Sequence, residues 1–154
     1  MRVELSAGAR SPERRVRGRV RGGLAIEAVD FVSVPTRDLE RAWRFYSETL
    51  GLSPSRYTPF ELEASNVTLA LWRPESDGVP FEPNTAGIAL RVGDVALARR
   101  RLEEADVEFL GETVDTGVCH MAFCYDSEGN VLILHRRYRP RETRREEADP
   151  EPTP

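Results

Sequence analysis

Lysine is missing from this sequence: all 22 basic residues are arginine, a usage that follows genome base composition and by itself excludes no function. Cysteine is scarce. Cys119 and Cys124 stand in a segment read as one strand, which would separate their Cα atoms by about 16 Å, too far for a disulfide. No CxxC spacing marks a redox pair, so both are read as small buried hydrophobes. Histidine occurs only at His120 and His135. No apolar run approaches the ~20 residues that a membrane span needs, and the arginine-bearing start lacks the apolar stretch of a secretory signal. The expectation is a soluble, cytoplasmic protein with no membrane partner.

What is present is globular in composition. The chain has 154 residues, 40% hydrophobic and 31% charged, enough for one domain with a real core but not for two of ordinary size. The charge is unevenly placed. Residues 1–25 carry seven Arg against two acids, residues 26–140 twelve Arg against nineteen acids, and residues 141–154 three Arg against five acids. The folded part is therefore acidic, which disfavours nucleic acid as a partner, because phosphate binding needs a concentrated basic face. Residues 1–25 read as a disordered basic arm and 141–154 as a disordered tail.

Between them the pattern runs twice. Ile26–Val34 has strand composition and ends at Pro35; Asp38 offers a helix cap. Leu39, Ala42, Trp43, Phe45, Tyr46 and Leu50 then recur at helical spacing until Gly51 stops the run. The runs 60–64 and 67–72 read as strands joined by a turn at Ser65-Asn66, and 74–85 reads as a linker. The second pass has a strand at 87–92, a cap at Asp94, and a helical stripe through Val95, Ala98, Leu102 and Ala105. Strands at 107–110, 119–125 and 131–138 follow, the last two joined by Asp126-Ser127-Glu128-Gly129-Asn130, where Gly and Asn tolerate the positive φ of a tight turn. An offset of 56 aligns Val32 with Ile88, Val34 with Leu90 and Asp38 with Asp94, the mark of an internal duplication. Each half would leave one sheet face to bury against the other half or against a second chain.

The segment Val29-Asp30-Phe31-Val32-Ser33-Val34-Pro35-Thr36-Arg37-Asp38-Leu39-Glu40-Arg41-Ala42-Trp43-Arg44-Phe45-Tyr46, with Leu50-Gly51-Leu52 after it, resembles the opening module of vicinal oxygen chelate proteins: glyoxalase I, bleomycin-resistance proteins and extradiol dioxygenases. Tyr125 to Leu134 is similar to the closing Asp-Pro-Asp-Gly-Asn hairpin of that family. The resemblance covers about residues 26–138. It implies an α+β fold of paired βαβββ modules, at about 26–73 and 86–138 within a domain spanning 26–140, whose curled mixed sheets surround a central cavity. A ferredoxin-like α+β domain is the nearest alternative for such a repeat.

In the metal-dependent members a divalent cation is held by four inward positions, which fall here on Phe31, approximately Ala70, Gly87 and Ile133. None of these side chains can ligate, so the resemblance implies a member without the usual metal and with no cofactor, a divalent metal being the alternative. A displaced site using His120 and His135 would need both on one strand face, whereas strand alternation separates them. His135 shares the face of Ile133 and is the one candidate for a metal-independent general base. The expected ligand pocket comprises Phe31, Ser33, Ala70, Trp72, Gly87, Ala89, Phe123, Ile133 and His135, with aromatic walls suited to a flat or apolar molecule. Three functions stay open: a binding protein for a small organic ligand, in the manner of drug-sequestering proteins and paired as a homodimer; a lyase, isomerase or dioxygenase relative; and a non-catalytic interaction module.

Overall fold

The computed structural model describes residues 26–140; the basic arm and the acidic tail lie outside them. The first module consists of β1 (Phe31–Pro35), α1 (Leu39–Arg44), β2 (Ser53–Pro54), β3 (Glu61–Glu63) and β4 (Thr68–Trp72). The second consists of β5 (Ile88–Arg91), α2 (Val95–Glu103), β6 (Phe109–Asp115), β7 (Cys119–Tyr125) and β8 (Val131–Arg137). Each builds a four-stranded mixed sheet of identical plan, β1-β4-β3-β2 and β5-β8-β7-β6, in which the first strand pairs parallel with the last and the others are antiparallel. The sheets do not join into a closed barrel. This is the expected α+β architecture of duplicated βαβββ units.

The duplication extends to the helix starts. Asp38 and Asp94 both hold extended backbone and accept the third following amide through Oδ1, from Arg41 N at 3.0 Å and Leu97 N at 2.8 Å, so the same cap starts both helices. The accepted backbone bond holds the Asp38 carboxyl below its usual range. Beyond Arg44 the first helix widens into a π turn, Phe45–Thr49. Ser47 Oγ donates to the Trp43 carbonyl at 2.7 Å, and Leu50 N reaches back to Phe45 O; a hydroxyl that takes an i−4 carbonyl competes with the regular ladder. Gly51, at φ 74°, then ends the helix as expected.

Several boundaries move from the sequence expectation. Residues 26–30 have strand composition but precede the register, which begins at Phe31 opposite Thr68. The linker contains a 3-10 turn, Pro74–Asp77, with Pro74 buried. β6 runs through Gly111 to Asp115, with its register shifting between Leu110 and Val114, an irregularity of the β-bulge kind.

One core spans both modules. Val34, Ala42, Tyr46, Leu62, Leu69 and Leu71 of the first pack with Cys124 and Leu132 of the second. The closing hairpin makes the polar junction. Tyr46 Oη donates to Asp126 Oδ2 at 2.8 Å, and Asn130 Nδ2 donates to Asp126 Oδ2 at 2.7 Å and to Pro35 O at 2.9 Å. Asn130 Oδ1 accepts from Asn84 N at 2.8 Å. Glu128, whose side chain is fully buried, accepts from Arg37 N and from the Arg41 guanidinium. Gly129 supplies the turn's positive φ; Asn130 does not share it, contrary to the sequence expectation, and serves through its carboxamide.

Two outcomes follow. Asn130→Ala, which removes one of the four hydrogen bonds to the Asp126 carboxylate and leaves the Asn84 amide and Pro35 carbonyl without their partner, should cost roughly 2–5 kcal/mol in denaturant unfolding, and Tyr46→Phe about 1–3 kcal/mol. Burial first, and then the Asp126 carboxylate, push the Tyr46 phenol well above its ordinary value. The folded state therefore resists its ionisation, so this contribution is complete below pH ~10 and is lost as pH rises beyond it. Urea midpoints should fall above pH ~10, and Tyr46→Phe should fall less steeply there.

Candidate functional site

Strand alternation gives each sheet two faces. Val32, Val34, Leu69, Leu71 and Leu62 turn to the helix-side core; their alternates turn the other way. In the first module the registers align Phe31 with Thr68 and Glu63, and Ser33 with Ala70 and Glu61, while Trp72 pairs with Pro35. In the second, Ala89 aligns with Ile133, Phe123 and Leu110, and Arg91 with His135 and Met121. Gly87 directly precedes β5, and an added Cβ there would lie 2.9 Å from Ile133 Cδ1.

All nine residues expected to line a pocket thus fall on these two faces, four in the first module and five in the second. The faces are open within one chain. Phe31 is 59% exposed, Trp72 37% and Leu110 38%; Ser33 and Ala89 are exposed, while Ala70, Gly87, Phe123, Ile133 and His135 are half-buried. Trp72 nonetheless has a fixed orientation, because its indole Nε1 donates to Asp77 Oδ2 at 2.7 Å. Two depressions lie elsewhere, beside α1. One of about 250 Å³ is lined by Glu40, Trp43, Arg44, Glu48 and Phe60, and one of about 390 Å³ by Arg37, Asp38, Leu39, Glu40, Phe60 and Arg73. Both are wide open to solvent, and neither includes any of the nine residues.

The two histidines stand apart as alternation requires. His135 registers with Met121, whereas His120 registers with Arg136 on the opposite face. There His120 Nε2 lies 3.5 Å from Asp115 Oδ2, and its ring leans on Tyr138 at 5.0 Å. The Tyr138 hydroxyl, more than any other group, keeps the Asp115 carboxyl below its usual value. His120 is therefore engaged near the start of β7, between β6 and β8, and does not meet His135. The cysteines are both buried and unpaired; burial, helped by Asp126, pushes the Cys124 thiol up to about 11, which leaves it inert near neutrality.

The side chains at the four positions that the resemblance implies for the family's metal do not fit it. Phe31, Ala70 and Ile133 present carbon only, and Gly87 sits at φ 77° against Ile133, a backbone conformation that side chains rarely adopt. Among the described residues no group of three or more His, Cys, Asp and Glu converges on one point. Polar groups that sequence spacing could not assign to a face are now located. Glu61 and Glu63 lie on the open face of the first module and Arg91 on that of the second; register, a long-range property, is what assigns them.

These paired modules and uncovered sheets define a class. Residues 28–134 match the model of the Glyoxalase/Bleomycin resistance protein/Dioxygenase superfamily, and the chain belongs to that superfamily. Among solved structures it is similar to TnmS3, an antibiotic-binding protein from Streptomyces sp. CB03234, with 29% identity over 75% of this chain and 99% of that one, at a TM-score of 0.58. It is similar in fold to a lactoylglutathione lyase from Agrobacterium tumefaciens (15% identity, 71% and 93% covered, TM-score 0.61). A superfamily member from Sphaerobacter thermophilus DSM 20745 shares the fold as well (24%, 73% and 98%, 0.61). No curated protein matches the chain by sequence. Among the described residues no helix is long and apolar enough to cross a membrane.

The Gly87 geometry gives a direct check. Gly87→Ala should cost about 1–3 kcal/mol from backbone strain and the contact with Ile133, and Gly87→His should not create a metal site. Thermal unfolding of both variants with and without zinc or nickel measures this, and a metal-dependent rise in Tm for Gly87→His would contradict it.

Proposed function

We propose that this chain is a metal-independent protein of the cytoplasm that binds a small, flat, largely apolar organic molecule, in a pocket completed when two copies pair as a homodimer. The observation that carries the reading is the pair of open sheet faces, walled by Phe31, Trp72 and Phe123; support comes from the side chains at the positions the resemblance implies for a metal, Phe31, Ala70, Gly87 and Ile133, which offer no donor. Exposed apolar surface of this kind marks an interaction site, and aromatic walls suit a stacked ligand. The 29% identity to an antibiotic-binding protein over nearly all of that chain supports binding as the function.

The faces also differ in charge. Glu61 and Glu63 stand on the first, Arg91 and Arg137 on β5 and β8 of the second. A two-fold pairing that sets the first module of one copy against the second module of its partner brings unlike charges together and repeats the contact symmetrically. A ligand enclosed there is sandwiched between aromatic walls from two copies.

The enzymatic alternative rests on His135, whose imidazole has no side-chain hydrogen bond among the described residues and so lacks an orienting partner for general-base work. Elemental analysis of protein purified without a histidine tag, with turnover assays in added divalent ions, decides between the readings. Binding predicts substoichiometric metal, no turnover, and thermal stabilisation by flat aromatic compounds in a screen. Stoichiometric metal or metal-dependent turnover would overturn it.

A further inference from the structure

Arg91 is a charged group of the open face to which the chain itself gives no partner among the described residues. It ends β5 on the open face, exposed, with its Cα in register with that of His135 on the adjacent parallel strand, so the two side chains project side by side from strands about 4.8 Å apart. Among the described residues neither side chain has an ion pair or a hydrogen bond. Arg137, two residues beyond His135, is different: its guanidinium is spent on the Arg139 and Pro140 carbonyls. On β5, β7 and β8 no Asp or Glu alternates onto this face; the acid of this sheet is Glu112 on β6, the edge strand farthest from β5, between Leu110 and Val114. Met121 and Ile133 flank His135 with apolar surface.

Closing this face over a ligand would enclose Arg91, and an enclosed guanidinium needs a counter-charge, which either a ligand carboxylate or Glu61 and Glu63 of the second copy can supply. The guanidinium's fork of donors matches a carboxylate bidentately, and an imidazole N–H beside it adds a further donor. We propose that Arg91 and His135 form an anion-recognition subsite, and that the preferred ligand is an aromatic molecule bearing a carboxylate. The proposal rests on the binding reading above and narrows its ligand class.

Calorimetric titration of the full-length protein with three probes of one shape tests it: 2-naphthoate, 2-naphthalenemethanol and 2-naphthylmethylamine. The expected result is naphthoate binding at least tenfold tighter than the alcohol. In Arg91→Gln the ratio of the two affinities should collapse toward one, whatever happens to each affinity separately, with circular dichroism confirming the fold. His135→Ala should narrow the ratio partly. Equal affinity for acid and alcohol in the native protein, or an unchanged ratio in Arg91→Gln, overturns the subsite while leaving the pocket standing. Preference for the amine overturns it too and assigns recognition to Glu61 and Glu63. Failure of all three probes to bind overturns both the subsite and the aromatic pocket beneath it.

Discussion

The fold depends on one buried polar junction, in which the Asp126 carboxylate and Asn130 carboxamide of the closing hairpin tie Tyr46 and the Pro35 carbonyl of the first module to the second. A carboxylate in that position is tolerable only because it is saturated: Asp126 Oδ1 accepts the amides of Glu128 and Asn130, while Oδ2 accepts Tyr46 and the Asn130 side chain. Satisfied networks of this kind specify a unique arrangement as much as they stabilise one. The junction fixes the modules through their helix-side core, and the same choice leaves the opposite sheet faces uncovered. Function, on this view, is a consequence of which faces the junction uses.

The duplicated halves have kept their scaffold and diverged on those faces. Asp38 and Asp94 perform one task in the same geometry, and Val34 and Leu90 occupy equivalent core positions. One residue out of phase the identities part: Phe31 corresponds to Gly87, Ser33 to Ala89 and Pro35 to Arg91. The first module supplies bulk and acid, the second a close backbone approach beside Ile133 and a base. Two unlike walls built on one plan suit an asymmetric ligand better than two identical walls would, because each end of the molecule meets different chemistry.

Local features were legible in the sequence. Both caps, the stop at Gly51, the 119–125 strand and the closing hairpin all rest on interactions within a few residues. Features created by distant partners were not. Residues 26–30 read as strand by composition, yet β4 begins only opposite Phe31. The two-residue strand Ser53–Pro54 exists because β3 lies beside it. The ion pairs from Glu128 to Arg37 and Arg41 span about 90 residues of sequence, and no periodicity encodes them. Asn130 was legible as a turn residue but not as the group that joins the modules. At the candidate site, alternation assigned His135 and Ile133 to one face correctly, while Arg91, Glu61 and Glu63 needed the strand registers. That the faces stay open within the chain could not be read at all, since the duplication is equally compatible with pairing inside one chain.

The central claim is that these open faces are completed by a second copy, and the most direct measurement is solution mass by light scattering for the native protein and for Phe31→Glu. The account predicts the mass of two chains for the native protein. It predicts the mass of one chain for the variant, with unchanged far-ultraviolet circular dichroism and with loss of aromatic-ligand binding. A native protein that is monomeric yet binds its ligand on these faces would contradict it.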